Sequence, residues 1–208
     1  MFHFCEFSEK DQRRFRQIYH MTSADTALRI LRSQSIWSTD ADQMANFSLN
    51  QDPVDQLDEP REVSLGFYFD GPIELISLQN QQRGFEPDVL YIFVTNWPWE
   101  PKLKGLEVWA ARLVPGSQKH LVCESAVFVR DFNDRAKSNS YARLVQREIQ
   151  AAVSCKPRIF VPETDAERDQ IQGRYPSAKY SLLERIKAWL DIKLESRRED
   201  RMQNDRAA

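Results

Sequence analysis

The sequence predicts an α+β protein, because strand-like and helical segments both occur but do not alternate in a regular β-α-β order. Two segments carry the strand signal most clearly. Residues 63–69 are aromatic and β-branched, and residues 89–95 are almost continuously apolar, as is typical of a strand buried on both faces. The helical signal is clearest near the carboxyl end, where apolar residues recur at helical spacing between Leu182 and Leu190.

Composition indicates one folded domain. The chain has 208 residues, of which 41% are hydrophobic, so it can bury a sizeable core. We expect a single domain over residues 1–194, followed by a charged tail over residues 195–208 that is solvated or disordered. The net charge of −2 provides no overall basic field for nucleic acid.

Cysteine and histidine usage excludes some classes of site. The three cysteines are far apart and form no CxxC pair, which favours free thiols in a reducing compartment over a disulfide framework. The three histidines have no metal-ligand spacing, so we expect no metal site. No segment has the length and hydropathy of a membrane span. These features predict a protein without a membrane partner that works in the cytoplasm, either of its own cell or of a target cell into which it is delivered.

The amino-terminal half begins with a strand followed by a helix. Residues 17–22 alternate as a strand does, and Ser23 is placed to cap a helix with Asp25 in its first turn. A second short strand is expected over residues 35–39. Residues 40–62 are polar and read as a long loop, and residues 73–82 as a short helix.

The carboxyl-terminal half contains several short segments. Residues 106–114 fit either a helix or a strand, and residues 121–123 and 126–129 each fit a short strand. Thr164 and Glu167 form a capping box that opens a helix reaching to about residue 172. An amphipathic helix containing Leu182, Ile186 and Trp189 follows.

One carboxylate stands out inside a mostly apolar segment. Glu148 lies within residues 140–154, and two interpretations of this segment remain open. Read with period two, Gln146, Glu148 and Gln150 share one face of a strand and line a cleft. Read with helical spacing, Tyr141, Val145 and Glu148 lie on an amphipathic helix, and the glutamate is an ordinary solvated residue.

Three motifs in chain order resemble the ADP-ribosyltransferase fold. They are His20 with Thr22 on the first strand, Tyr68 in the segment Gly66-Phe-Tyr-Phe69, and Gln146-Arg-Glu148. The order of elements is most similar to that of the DarT-type DNA ADP-ribosyltransferase toxins, over residues 17–175. The resemblance implies an α+β fold with two small, mostly antiparallel sheets around an NAD cleft and with flanking helices.

The resemblance also implies roles for individual residues. Glu148 would stabilise the oxocarbenium-like transition state in which the nicotinamide–ribose bond breaks, and Gln146 would help to select the acceptor. Residues that would bind NAD, which is consumed as a substrate, are His20, Thr22, Tyr68 and Phe47.

The expected function is therefore NAD-dependent mono-ADP-ribosyl transfer to a macromolecular acceptor by a bacterial toxin or effector. Nucleic acid is narrowly favoured over protein as the acceptor, because basic residues surround Glu148 in the sequence. These are Arg130, Arg135, Lys137, Arg143, Arg147, Lys156 and Arg158. An antitoxin or immunity protein is a possible partner. The alternative is a non-catalytic interaction module with this fold, binding through Trp97, Trp99 and the polar loop.

Overall fold

The α+β class is confirmed by a computed structural model of the protein. It describes residues 13, 15–38, 44–49, 61–77, 84–94, 108–118, 120–175 and 179–207. Within these ranges it contains eight strands in two four-stranded sheets, and five helices. Most of the polar loop over residues 40–62, together with Trp97 and Trp99, lies outside the described residues.

The first sheet carries the first two sequence motifs. Its strand order is β1 (Gln17–Thr22), β3 (Val63–Phe69), β7 (Leu121–Phe128) and β8 (Arg158–Ile159), with every neighbouring pair antiparallel. The regular β1–β3 register places His20 opposite Leu65 and Gln17 opposite Tyr68. This register decides which motif residues share a face of the sheet.

The second sheet has the strand order β2 (Ala45–Phe47), β6 (Val108–Leu113), β5 (Leu90–Val94) and β4 (Ile73–Ser77). Its pairs are antiparallel except for β4 with β5, which is parallel. The two sheets meet where Tyr19 and Ser48 exchange two backbone hydrogen bonds of 2.7 Å. The β1 motif therefore lies at the junction of the sheets.

Five helices flank the sheets: α1 (Ala24–Ser33), α2 (Arg130–Ser138), α3 (Ser140–Ser154), α4 (Asp165–Arg174) and α5 (Leu182–Ala207). Two predicted caps are confirmed. The Ser23 side chain accepts a hydrogen bond from the Thr26 amide at the start of α1, and Thr164 with Glu167 forms the capping box of α4. Ile18, Leu28, Leu65 and Ile149 belong to one buried core that joins the sheets to α1 and α3.

The strand interpretation of residues 140–154 is wrong, because this segment is helix α3. Asn139 caps it by accepting from the amides of Tyr141 and Ala142. Its buried residues are spaced by three or four, namely Ala142, Val145, Ile149 and Val153. That period matches a helix packed along one stripe, so Gln146 and Glu148 do not share a strand face.

Four further segments differ from the sequence prediction. Residues 73–77 form strand β4 rather than a helix, residues 45–47 form strand β2 rather than part of a loop, and residues 121–128 form one strand rather than two. Of residues 35–38, only Ser35 makes a β-bridge, to Phe160. In β2 and β4 the pairing partner lies at least 17 positions away in the sequence, so no local pattern could specify it.

Helix α5 forms where the terminal helix was predicted but extends further. It continues through the boundary at residue 194 to Ala207, so the expected tail is helical. Ala188 and Ile192 are buried, whereas Leu182, Leu183, Ile186, Trp189, Leu190 and Leu194 are exposed. Its contacts with the rest of the chain are mainly with α3.

Candidate functional site

His20 lies half-buried on β1, at the junction of the two sheets. Its Nδ1 lies 3.0 Å from the backbone carbonyl oxygen of Asn46, which can only accept. Burial lowers the pKa of His20 below its ordinary value, and the positive charge of Arg61 lowers it further. The ring is therefore neutral at neutral pH, with the hydrogen on Nδ1 and an acceptor lone pair on Nε2.

The ring of Phe47 lies beside that of His20. The two rings meet edge-on with centroids 6.2 Å apart, and Phe47 also contacts Phe67 edge-on at 5.7 Å. Phe47 is itself buried, with 5% of its surface exposed. The structure thus brings the rings of Phe47 and His20 together.

Thr22 lies on the same side of β1 as His20, two residues further along. Its backbone carbonyl accepts from the Glu62 amide. The Glu62 carboxylate accepts from the Ala24 amide at 2.9 Å and from Arg135 at 2.6 Å. A carboxylate that the sequence interpretation missed therefore stabilises the start of α1, directly beside Thr22.

Tyr68 lies on the opposite face of the first sheet from His20. Directly opposed residues of an antiparallel pair point to the same side, so Tyr68 shares its face with Gln17, and His20 shares its face with Leu65. Three positions separate Gln17 from His20, which places their side chains on different faces. The register therefore does not bring His20 and Tyr68, which are both expected to bind NAD, to the same face of the sheet.

Glu148 forms a bidentate ion pair with Arg32 between helices α3 and α1. Arg32 Nε donates to Oε1 at 2.6 Å and Arg32 Nη2 donates to Oε2 at 2.8 Å. The Tyr180 hydroxyl also donates to Oε2, at 2.9 Å. Both carboxylate oxygens thus have partners inside the protein. Within the described residues, no hydrogen bond, ion pair or ring contact joins this cluster to His20, Thr22, Tyr68 or Phe47.

A second polar contact joins the same two helices nearer the start of α1. The Tyr141 hydroxyl donates to Asp25 Oδ1 at 2.7 Å, and the rings of Tyr141 and Tyr180 meet edge-on at 5.4 Å. Burial first, then the hydrogen bond to Asp25, raises the pKa of Tyr141 to about 12. Burial and the Glu148 carboxylate likewise raise the pKa of Tyr180. Both phenols therefore act as hydrogen-bond donors at neutral pH.

Gln146 is separated from the glutamate cluster by its own contact. Its Nε2 donates to the Oδ1 of Asn133 on α2 at 2.7 Å. Residues two apart on a helix point about 200° apart, so Gln146 and Glu148 diverge. The resemblance implies that Gln146 and Glu148 act side by side, and on helix α3 their side chains do not lie side by side.

The basic residues around Glu148 are neutralised by carboxylates. Each of the seven lies between 2.6 and 3.8 Å from an acidic side chain. Most of these acids come from distant parts of the chain, for example Glu195 for Arg143 and Asp191 for Arg147. The local excess of positive charge in the sequence is therefore balanced in the fold. This balance of charge does not favour a nucleic-acid acceptor.

Glu124 is the only carboxylate within the four strands of the first sheet. It lies on β7 at the irregular pairing between Cys123 and Ser125, next to Gly66 and Phe67 of β3. Its side chain is exposed and pairs with Lys156 at 3.1 Å. The sequence signal that could have found it is a lone carboxylate in an otherwise apolar strand.

A depression in the described part of the chain is lined by Phe69, Leu113 and His120, and it contains none of the predicted NAD-binding residues. Among the described residues, no three acidic, histidine or cysteine side chains cluster as a metal site would require. Nor is any described helix long and apolar enough to cross a membrane.

Comparison with models of known protein families, with curated proteins and with solved structures gives no match for this chain. Its function must therefore be inferred from the geometry of its own residues.

Proposed function

We propose that the protein is an NAD-dependent mono-ADP-ribosyltransferase that acts on a macromolecular acceptor. The observation that carries the proposal is the state of His20. Its Nδ1 is bonded to the Asn46 carbonyl, the ring is neutral, and within the described part of the chain Nε2 has no hydrogen-bond partner. Such a nitrogen accepts a hydrogen bond from a sugar hydroxyl, and Thr22 on the same side of β1 offers a second polar contact.

The buried ring of Phe47 supports this role. A pocket for a nucleoside combines an apolar wall with a few oriented polar groups, and Phe47 beside the imidazole provides such a wall. The two-sheet α+β architecture, with His20 where the sheets meet, is compatible with the fold that the sequence motifs imply. In this proposal His20, Thr22 and Phe47 bind the ribose on the adenosine side of NAD.

Cleavage of the nicotinamide–ribose bond requires a carboxylate beside the developing positive charge. Glu148, with Gln146 selecting the acceptor, is the assignment that the Gln-x-Glu motif supports. For this role the Glu148 carboxylate must exchange Arg32 and Tyr180 for a ribose hydroxyl. Glu124 is the competing assignment, because it belongs to the sheet of His20 and its exposed pair with Lys156 is easily replaced by water.

A non-catalytic interaction module is the second candidate. The observation that favours it is the bonding of Glu148, whose two oxygens are held by Arg32 and Tyr180 as in a structural ion pair. Gln146 is likewise bonded to Asn133. In that case the glutamate stabilises the contact between α1 and α3 and never meets NAD.

The test is to incubate the full chain with labelled NAD and to measure free nicotinamide and transferred label. Single-stranded DNA, RNA and a protein lysate are each offered at low and moderate salt. The variants are His20→Ala, Glu148→Gln and Glu124→Gln. We expect His20→Ala to weaken NAD binding, and Glu148→Gln to reduce turnover at least about 100-fold while NAD affinity stays within a few-fold. Glu124→Gln tests the competing assignment, and it should retain activity because the proposal assigns catalysis to Glu148.

The possible outcomes separate the assignments. Absence of nicotinamide release with every acceptor would refute the transferase and leave the interaction module. Loss of activity in Glu124→Gln but not in Glu148→Gln would transfer the catalytic role to Glu124. Label on protein alone, unaffected by nuclease, would exclude nucleic acid as the acceptor while the transferase stands.

A further inference from the structure

Helix α5 contacts the rest of the protein through one face only. Ala188 and Ile192 are buried there, with 1% and 8% of their surfaces exposed. On the same side, Asp191 pairs with Arg147 at 2.7 Å and Glu195 pairs with Arg143 at 2.6 Å. Both arginines belong to α3, so this inward face is fixed by apolar contacts and by ion pairs.

The outward side of α5 is apolar. At 100° per residue, Leu183, Ile186, Leu190 and Leu194 lie on the side away from Ala188, and Leu182 and Trp189 lie along one edge. The exposed fractions of these six side chains range from 45% to 73%. Together they form a strip about 18 Å long, which we call the outward apolar strip. A helix packed on a protein normally turns its apolar side inward, so this strip indicates a binding surface.

The charges around the outward apolar strip are basic. The three acidic residues from 182 to 198 lie toward the body of the protein: Asp191 and Glu195 pair with α3, and Glu184 accepts from the amide and hydroxyl of Ser181. Lys187, Lys193 and Arg197 lie along the strip and are exposed. Within the described part of α5, Lys193 and Arg197 form no ion pair, and the Lys193 ammonium lies 5.9 Å from the Trp189 ring centroid.

We infer that the outward apolar strip binds an amphipathic helix of a partner protein, one with an apolar stripe flanked by Asp or Glu. The apolar spacing of three and four residues on α5 matches helix-to-helix packing. Carboxylates on the partner would meet Lys193 and Arg197, which form no ion pair within the described part of α5. This inference is independent of the proposed transferase activity.

Charge complementarity selects this occupant over two others. A second copy of the chain would bring the same basic residues against one another, and like charges at facing helix positions are unfavourable. Around the helix, Lys193 lies between Trp189 and Ile186, within the apolar sector. A lipid surface that covered the strip would therefore have to bury this charged side chain among the lipid chains, which is unfavourable. A partner helix can place a carboxylate opposite this ammonium.

The experiment uses the full chain and two designed helical peptides about three heptads long. Both carry leucine at the core positions, and the flanking positions are glutamate in one and lysine in the other. Binding is measured by anisotropy of the labelled peptide. We expect the glutamate peptide to bind at least about tenfold more tightly than the lysine peptide.

Leu190→Glu should weaken binding of the glutamate peptide at least about tenfold. Met202→Glu, an exposed apolar residue of the same helix on its other side, is the matched control and should bind as the wild type does.

Four results would overturn the inference. The first is equal binding of the two peptides, and the second is no binding of either. The third is a dimer in analytical ultracentrifugation that Leu190→Glu converts to a monomer, since a second copy would then cover the strip. The fourth is binding to vesicles of anionic phospholipid that Leu190→Glu abolishes, because a lipid surface would then be the occupant. Circular dichroism of each variant confirms that α5 remains helical.

Discussion

Arg32 and Glu148 lie 116 positions apart in the sequence and form two parallel hydrogen bonds, of 2.6 and 2.8 Å, between α1 and α3. Their side chains are only 32% and 34% exposed. The carboxylate also accepts from Tyr180, and this contact joins the segment before α5 to the same cluster. The Arg32–Glu148 pair therefore joins α1, α3 and the segment before α5.

The first prediction concerns this ion pair. Glu148→Ala should lower the free energy of unfolding by about 1–3 kcal/mol, because it removes charge-assisted hydrogen bonds and leaves Arg32 and Tyr180 without their acceptor. A double-mutant cycle with Arg32→Ala, measured by urea unfolding, should give a coupling energy of about 1 kcal/mol. Asp169→Ala, an exposed carboxylate on α4, is the control and should change stability by less than about 0.5 kcal/mol. Strictly additive effects of the two substitutions would show that the pair contributes nothing to stability.

The second prediction concerns His20 and pH. The pKa of its imidazole is lowered from 6.5 by burial. Well above pH 6.5 the ring is neutral in both the folded and the unfolded state. As the pH falls through 6.5, His20 takes up a proton in the unfolded chain but not in the folded chain. The free energy of unfolding therefore decreases until the pH passes below the pKa of His20 in the folded protein. The free energy of unfolding should therefore be lower at about pH 5.5 than at about pH 7.5.

A histidine variant tests the origin of this decrease. His20→Gln should reduce it, because glutamine does not titrate. His120→Gln, which removes the histidine paired with Asp70 at 2.7 Å, should leave the contribution of His20 in place. An unchanged pH profile in His20→Gln would contradict the assignment of a buried, neutral imidazole.

The third prediction concerns the two thiols that the structure describes. Cys123 is buried and Cys155 is exposed, and burial raises the pKa of the Cys123 thiol to about 12. Because the thiolate is the reactive form, a disulfide reagent near neutral pH should modify Cys155 but not Cys123. In a Cys5→Ser background, one thiol per chain should react in the folded protein and two in denaturant. Rapid reaction of both thiols under native conditions would contradict the burial of Cys123.

The fourth prediction concerns Gly66, which lies at the irregular pairing between β3 and β7. A Cβ at this position would overlap Ser125 Oγ and lie 3.3 Å from Tyr19 Cε1. Gly66→Ala should therefore lower the free energy of unfolding by about 1–3 kcal/mol, and Ser125→Ala should recover part of the loss. Gly84→Ala is the control, because no atom lies within 4 Å of its added Cβ. Equal stability of the two alanine variants in thermal unfolding would refute the crowding at Gly66.

Elements with a strong local signal could be predicted from the sequence. Alternation and β-branched or aromatic composition located β1 and β3, and the Thr164–Glu167 capping box located α4. Alternation also placed His20 and Thr22 on one side of β1. Such features depend on contacts between residues close in the sequence.

The site itself depended on distant contacts. Residues 140–154 satisfy both a strand pattern and a helical one, and packing of Val145 and Ile149 into the core selected the helix. That choice turned Gln146 and Glu148 away from each other and placed the glutamate against Arg32. The register of β1 on β3 likewise put His20 and Tyr68 on opposite faces.

By itself, then, the sequence determined the α+β class, the main strands and the helix caps, because hydrophobic period and capping chemistry act over a few residues. Tertiary structure alone decided the partners of each charge. The basic residues near Glu148 gain carboxylates from residues 62, 124, 191 and 195, among others. It also decided the orientation of α5, because the ion pairs of Asp191 and Glu195 with α3, together with burial of Ala188 and Ile192, turn its leucines outward.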